Sequence, residues 1–108
     1  MRWILMAVMM PCAAFAEDWT WLTGPEITTA LTGRVVLYDG DHRQEFMADG
    51  RTLYDDRWGY WRVEGDRYCS QWPPSDRWTC YDVAQNGLEV RFQADDGSTV
   101  TGRYADVP

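Results

Sequence analysis

The sequence has no lysine, and this absence shapes its charge. Its 10 basic residues are all arginines, set against 17 acidic residues, for a formal net charge of −7. Such a balance repels phosphate backbones and anionic lipid headgroups, so it argues against nucleic acid and membrane-surface partners. An acidic surface keeps a small domain soluble, and it leaves a cationic partner open.

A hydrophobic run long enough to cross a membrane is also missing. The unbroken apolar run from Trp3 to Met10 has about half the length needed to span a bilayer. Arg2 precedes it, and Ala14-Phe15-Ala16 follows with the A-x-A form of a cleavage site. The pattern predicts a signal peptide over residues 1–16 rather than an anchor. It also predicts a single mature domain over residues 17–108, located in the periplasm or outside the cell.

Cysteine is scarce, with three in the chain. Cys12 lies within the predicted signal peptide, so cleavage leaves Cys69 and Cys80 with one possible pairing. These two lie symmetrically about the turn at Pro73–Asp76, which places them opposite each other on neighbouring strands, where a disulfide fits. A redox-active pair would need C-x-x-C spacing, which they lack. We therefore expect a structural Cys69–Cys80 disulfide in an oxidising compartment.

The chain has a single histidine, His42, and this limits the catalytic mechanisms that can be assigned to it. His42 ends the segment Asp39-Gly40-Asp41-His42, and Asp and Gly are the residues that a turn requires. We interpret it as a solvated turn and not as a metal site. Because no motif places a base beside a nucleophile, we expect no catalytic residue, no metal and no cofactor. A hydrolase that uses two carboxylates, as glycosidases do, stays open as an alternative.

One short helix is predicted close to the start of the mature domain. Pro25 fits the first helical position, and Gly33 ends the segment. Between them, Ile27, Ala30 and Leu31 fall at i, i+3 and i+4 and form an apolar stripe. The aromatic and apolar residues that precede the helix are expected to pack under a sheet; these are Trp19, Trp21 and Leu22.

From Arg34 onward the apolar period changes to two, and turn signals recur roughly every eight to twelve residues. Asn86-Gly87 and Asp96-Gly97 are examples, because such dipeptides supply the positive φ that tight hairpins need. The predicted fold is mainly β: the short helix is followed by an antiparallel meander of about eight short strands, forming a closed or strongly curved barrel with one disulfide. The predicted strands are Arg34–Tyr38, Arg43–Met47, Arg51–Asp55, Gly59–Val63, Arg67–Trp72, Arg77–Val83, Leu88–Ala94 and Ser98–Tyr104.

The middle of the chain carries a recognisable pattern. Residues 59–72 and 80–83 together have the form G-x-W-x-V-x-G-D-x-Y-C-x-x-W…C-Y-x-V. This pattern resembles a family of small secreted bacterial proteins of unknown function, over roughly Thr23 to Tyr104. The resemblance implies export and a compact, strand-rich domain, and it carries no catalytic residues. The pattern itself predicts a turn at Gly65-Asp66, with Trp61, Val63 and Tyr68 on one interior face.

The aromatic content supplies the candidate binding residues. An eight-stranded barrel is wide enough to be filled by large side chains or to hold one small ligand. We assign Trp58, Trp72 and Trp78 as binding candidates, because they fall near strand ends or, in the predicted register, on the sheet face opposite to that of Trp61. Filling of the core is the alternative role for these rings. Two neighbouring arginines can stack on the rings or meet an anionic group; these are Arg62 and Arg77.

These observations predict a non-enzymatic, monomeric β-domain that binds a partner protein or a small ligand through an aromatic hairpin face. An alternative is a periplasmic inhibitor of a cationic hydrolase such as lysozyme, because an acidic surface attracts a cationic enzyme. The two hypotheses differ in their structural requirements. A deep apolar cavity would favour a ligand, whereas a protruding acidic loop would favour an inhibitor.

Overall fold

The computed structural model describes residues 18–105, so the predicted signal peptide and its cleavage site lie outside the described residues. Within this part of the chain, no helix is both long enough and apolar enough to cross a membrane. The elements are β1 (Thr20–Trp21), α1 (Gly24–Leu31), β2 (Val35–Tyr38), β3 (His42–Phe46), β4 (Arg51–Tyr54), β5 (Arg57–Glu64), β6 (Arg67–Gln71), β7 (Trp78–Asn86), β8 (Glu89–Gln93) and β9 (Thr99–Tyr104).

Strands β2 to β9 form a closed antiparallel barrel. Each strand pairs with the next one along the chain, and β9 pairs with β2, where Val36 lies opposite Tyr104. The predicted fold class is confirmed, and the barrel is of the closed form. β7 extends further than predicted, because it pairs with β6 over residues 78–81 and with β8 over residues 82–86.

The chain before the helix was predicted less well. Residues 20 and 21 form the short strand β1, which pairs with β7 at Gln85 and Ala84. The pairing leaves the Trp21 side chain on the surface, 52% exposed, so its predicted burial under the sheet is wrong. Leu22 does pack against the core. A two-residue strand has no periodicity to read in a sequence, which is why the pattern gave no sign of it.

The helix α1 forms as its sequence requires. The Glu26 carboxylate accepts a hydrogen bond from the Thr23 backbone N–H at 2.8 Å, which satisfies one of the free donors at the helix N-terminus. The predicted apolar stripe is buried, with Ile27 and Leu31 completely inaccessible to solvent. A helix of eight residues is stable only through such packing.

The helix closes one end of the barrel. At its start, the Gly24 N–H donates to Asp66 in the β5–β6 turn at 2.8 Å, and near its end the Ala30 carbonyl accepts from the Tyr104 hydroxyl at 2.9 Å. A Cβ on Gly24 would lie 2.2 Å from the Gly65 carbonyl oxygen, so only glycine allows this close approach. These contacts hold α1 over the barrel end where β5 and β9 finish.

Aromatic side chains fill the half of the barrel next to the helix. Phe46 is fully buried, and its ring centroid lies 5.6 Å from that of Trp61 and 5.7 Å from that of Tyr68, both edge-on. The Trp61 indole N–H donates to the Met47 carbonyl at 2.9 Å, so its one polar group is satisfied. The predicted interior face of Trp61 and Tyr68 is confirmed, and Val63 packs against it.

The predicted disulfide is confirmed. Cys69 and Cys80 lie opposite each other on β6 and β7, with their sulfurs bonded and their Cα atoms 4.0 Å apart. The predicted register is also correct, since Tyr68 lies opposite Tyr81. Because side chains alternate along a strand and Tyr68 faces inward, the disulfide belongs to the outer face of the barrel.

Candidate functional site

The barrel end opposite the helix is open. Four connections surround the opening and form the rim, at residues 39–41, 55–56, 72–77 and 94–98. Inside the rim lies a cavity of about 600 Å³ that opens to solvent. The cavity is lined chiefly by six aromatic side chains: Tyr38, Tyr54, Tyr68, Trp72, Tyr81 and Phe92.

The aromatic wall of the cavity comes from the last residues of successive strands. Tyr38 ends β2, Tyr54 ends β4, and Trp72 directly follows β6. The Tyr54 centroid lies 6.0 Å from that of Tyr38 and 6.3 Å from that of Trp72, and the second pair of rings is nearly perpendicular at 81°. Rings in different planes therefore face the same space.

A glycine makes room for one of these rings. A Cβ on Gly59 would lie 2.5 Å from the Trp72 ring and 2.7 Å from the Gln71 carbonyl oxygen. The missing side chain at Gly59 lets the indole rest against the β5 backbone. The Trp72 indole N–H donates to the buried Ser70 hydroxyl at 3.2 Å, which fixes its orientation.

The cavity floor, formed by Gln44, Tyr68 and Ser70, is polar and internally hydrogen-bonded. The Gln44 amide oxygen accepts from the Tyr38 hydroxyl at 2.8 Å, while its nitrogen donates to Thr52 at 2.9 Å and to the Tyr68 hydroxyl at 3.2 Å. Gln44 is 5% exposed, so these bonds offset the cost of burying an amide. A satisfied network of this kind holds its members in one geometry.

The floor carries no formal charge at neutral pH. Burial raises the pKa of the Tyr38 hydroxyl well above its usual value, and the nearby Tyr68 hydroxyl adds to this effect. Burial also raises the pKa of Tyr68 to about 12, although hydrogen bonds with Ser70 and Gln44 act in the opposite direction. Both phenols therefore remain protonated.

Charged groups gather at the rim instead. Asp39 and Arg57 line the opening, and the Arg57 guanidinium lies 5.4 Å from the centroid of the Trp72 ring. The rim connections contain one arginine, Arg77, against seven aspartates. These aspartates are Asp39, Asp41, Asp55, Asp56, Asp76, Asp95 and Asp96.

His42 is part of the rim and has a defined partner. Its Nδ1 lies 2.7 Å from an Asp55 carboxylate oxygen, and its ring stacks on Tyr54 with the centroids 5.6 Å apart. The bond to His42, and a second one from the Arg43 backbone N–H, lower the pKa of Asp55. His42 is exposed and follows a turn, as predicted, but it begins β3 and helps to hold the cavity wall.

In the part of the chain that the structure describes, one cluster of potential metal-ligand atoms lies outside the cavity. Atoms of Glu64, Cys69 and Cys80 lie within 4.8 Å of one another on the outer face. Metals bind thiolates, and both sulfurs are committed to the disulfide. The oxidised protein therefore offers a single carboxylate there, which does not make a metal site.

The structure separates the candidate binding residues that the sequence grouped together. Trp72 lines the cavity, on the inner face that it shares with Ser70, whereas Trp58 and Trp78 lie on the outer face. The Arg62 guanidinium stacks on Trp78 at 3.9 Å, and an Arg51 guanidinium lies 4.8 Å from the Trp58 ring. The remaining candidate, Arg77, is exposed in the rim.

Several cavity residues escaped the sequence analysis, among them Tyr38, Gln44, Tyr54, Tyr81 and Phe92. A usable signal was present, because the tripeptide Leu-Tyr-Asp occurs at residues 37–39 and again at 53–55. Both copies end a strand, with the tyrosine inside the barrel and the aspartate in the rim. A tyrosine followed by an aspartate, repeated at the ends of two strands, thus indicates the open end of the barrel.

The chain was compared with known proteins, and no relative was found. No protein-family model, no curated protein and no solved structure matches the chain.

Proposed function

We propose that this protein binds a small organic molecule in the open end of its barrel. One observation carries the proposal: a cavity of about 600 Å³ lies among six aromatic side chains at the barrel end opposite the helix. Ligand sites in proteins are typically concave, of roughly 300–1,000 Å³, and mostly apolar with a few fixed polar groups. The cavity has this size and composition.

The way the cavity is built supports binding rather than simple imperfect packing. Buried Gln44 and Ser70 are each held by hydrogen bonds, and Gly59 leaves space for the Trp72 ring. A site whose side chains are fixed before the ligand arrives loses less entropy on binding. The cavity geometry therefore favours a ligand over the alternative role of these aromatics as core filling.

The other two hypotheses draw less support. The rim is acidic, as an inhibitor of a cationic enzyme would need, but Asp55, Asp95 and Asp96 are engaged with His42, Arg67 and Ser98 respectively. Three of the four connections are short, at two, three and five residues, rather than protruding loops. For a carboxylate-dependent hydrolase, two carboxylates would have to face one substrate, and among residues 18–105 Asp39 is the single acid lining the cavity.

We also propose that the protein acts outside the cytoplasm. The Cys69–Cys80 disulfide is consistent with an oxidising compartment, and residues 1–16 have the pattern of a signal peptide. A free thiol at either cysteine in protein isolated from its native compartment would contradict this assignment.

Binding is tested with a neutral, apolar fluorophore, N-phenyl-1-naphthylamine, whose emission rises in an apolar site. We expect wild-type protein to bind it saturably. We expect Tyr54→Ser to weaken binding by about tenfold or more, since it removes a ring from the cavity wall. The measurement is a fluorescence titration at constant protein concentration.

Tyr60→Ser is the matched control, because Tyr60 is also a strand tyrosine but lies on the outer face and is 47% exposed. Its binding curve should coincide with that of wild type. Circular dichroism confirms that both variants are folded. The proposal is wrong if wild-type protein shows no saturable binding, or if the two variants weaken binding equally.

A further inference from the structure

We propose that the ligand of this cavity is an organic cation, with a quaternary or protonated amine whose charge lies against the ring faces of Tyr38, Tyr54 and Trp72. The inference rests on the proposed function and specifies the chemical class of the ligand. It is carried by the orientation of the rings, by the hydrogen-bond donors that the cavity has already committed, and by the charge of the rim.

The rings have the arrangement that such a cation needs. The face of an aromatic ring is electron-rich and attracts a cation within about 6 Å of its centroid, most strongly when several rings surround it. Tyr54 and Trp72 are nearly perpendicular, and Tyr38 is tilted 32° from Tyr54. Three walls of an aromatic cage are therefore present at the opening.

Three hydrogen-bond donor groups at the base of the cavity are already in use. The Tyr38 hydroxyl donates to Gln44, the Gln44 amide donates to Thr52 and Tyr68, and the Trp72 indole donates to Ser70. An anion at the base of the cavity, beyond Arg57, would lose its hydration without gaining these donors. Ring faces and oxygen lone pairs are what these groups leave for a ligand, and both attract positive charge.

The charge at the opening acts in the same direction. Asp39 lines the cavity, and the rim connections have seven aspartates against one arginine, Arg77. On the adjacent strands, Arg57 adds positive charge, Arg67 pairs with Asp95 and His42 with Asp55. The barrel carries further acid elsewhere, for a chain total of −7. Such a field raises the local concentration of cations and speeds their arrival. The Arg57 guanidinium also lines the cavity and lies 5.4 Å from the Trp72 centroid. Its positive charge opposes that of the aspartates at this ring, so a cationic ligand has to compete with it there.

Three soluble probes of one shape test the charge directly: choline, its neutral carbon isostere 3,3-dimethylbutan-1-ol, and the anion 3,3-dimethylbutyrate. Each presents a three-methyl head, so differences in affinity report on charge. We expect choline to bind about tenfold or more tightly than the alcohol, and the anion to bind weakest. Isothermal titration calorimetry and the intrinsic tryptophan fluorescence measure this.

Two pairs of variants locate the site. Trp72→Leu should weaken choline binding at least about tenfold, whereas Trp58→Leu, which removes an outer-face indole that also has an arginine partner, should not change it. Tyr54→Phe should retain most of the affinity because it keeps the ring, and Tyr54→Leu should lose it. Circular dichroism establishes that each variant is folded.

The outcomes separate this inference from the proposed function. If the alcohol binds as tightly as choline, or the anion more tightly, the cavity is a ligand site but not one for cations. If choline fails to bind while N-phenyl-1-naphthylamine still does, the same conclusion holds. If neither binds, both proposals fail. Choline binding that survives Trp72→Leu and Tyr54→Leu would also overturn the inference.

Discussion

At the scale of single residues, the positions of tyrosine rings and hydroxyls determine the cavity. Tyr54 and Tyr60 are separated by six positions and belong to neighbouring strands, yet one lines the cavity and the other faces solvent. Strand alternation produces this difference. The buried Tyr68 hydroxyl joins the core to the cavity floor, because its ring packs on Phe46 while its oxygen accepts a hydrogen bond from Gln44.

The raised pKa of Tyr68 predicts how stability depends on alkaline pH. The unfolded chain releases this proton near pH 10, whereas the folded protein retains it until about pH 12. The contribution of the protonated Tyr68 hydroxyl to stability is therefore fully present below pH 10. As pH rises through that interval, up to about 3 kcal/mol of unfolding free energy is lost. We expect Tyr68→Phe to flatten the decline between these pH values, as measured by urea unfolding at each pH.

Tyr60→Phe provides the control for this measurement, since its exposed hydroxyl should leave the slope unchanged. At neutral pH, Tyr68→Phe should itself be less stable by about 1–2 kcal/mol, because the Gln44 amide loses an acceptor. The slope and the neutral-pH loss are separate observables. An unchanged slope in Tyr68→Phe would mean that the phenol is not buried as described.

At the scale of elements, the β6–β7 hairpin carries both the cross-link and one wall of the cavity. The disulfide joins Cys69 to Cys80, and Trp72 follows β6 in the connection between them. Closing this loop of about a dozen residues is worth on the order of 3 kcal/mol in the chain-entropy model. We therefore expect the hairpin to contribute strongly to the stability of so small a domain.

Removing the disulfide should lower the melting temperature of the protein. We expect Cys80→Ala to reduce the melting temperature by more than about 5 °C. Each kcal/mol of lost unfolding free energy corresponds to roughly 4–8 °C in a domain of this size. Differential scanning calorimetry measures the shift. Chemical reduction of wild-type protein should give a similar loss. A change below about 2 °C would mean that the cross-link constrains little, against the entropic argument.

Some features of the strands and the helix could be predicted from the sequence, and others could not. The register of β6 and β7 follows from the symmetry of Cys69 and Cys80 about their turn, and the helix follows from Pro25, Gly33 and an apolar stripe. These are local patterns. Trp72 could be named as a candidate binding residue, but its position on the inner face could not be predicted, because it depends on the strand register and on the room left at Gly59. The sequence alone therefore could not predict that Trp72 lies on a different face of the barrel from Trp58 and Trp78.

At the scale of the whole molecule, the two ends of the barrel differ in what fills them. The helix closes one end over an apolar core, while the other end is open, aromatic and rimmed with aspartates. This difference between the two ends depends on the pairing of β9 with β2 and on the docking of α1 at the β5–β6 turn. Both are contacts between residues distant in the chain, so no local pattern announces them. The cavity itself is a product of this arrangement.

NMR in solution can locate a bound ligand on the protein. In a ¹⁵N NMR titration with N-phenyl-1-naphthylamine, each tryptophan indole N–H gives its own resonance. We predict that the Trp72 indole and the backbone amides of Tyr38, Gln44 and Tyr54 shift most, while the indoles of Trp58 and Trp78 on the outer face stay unchanged. Largest shifts at Trp58 and Trp78, or on the helix α1, would mean that the ligand binds outside the cavity.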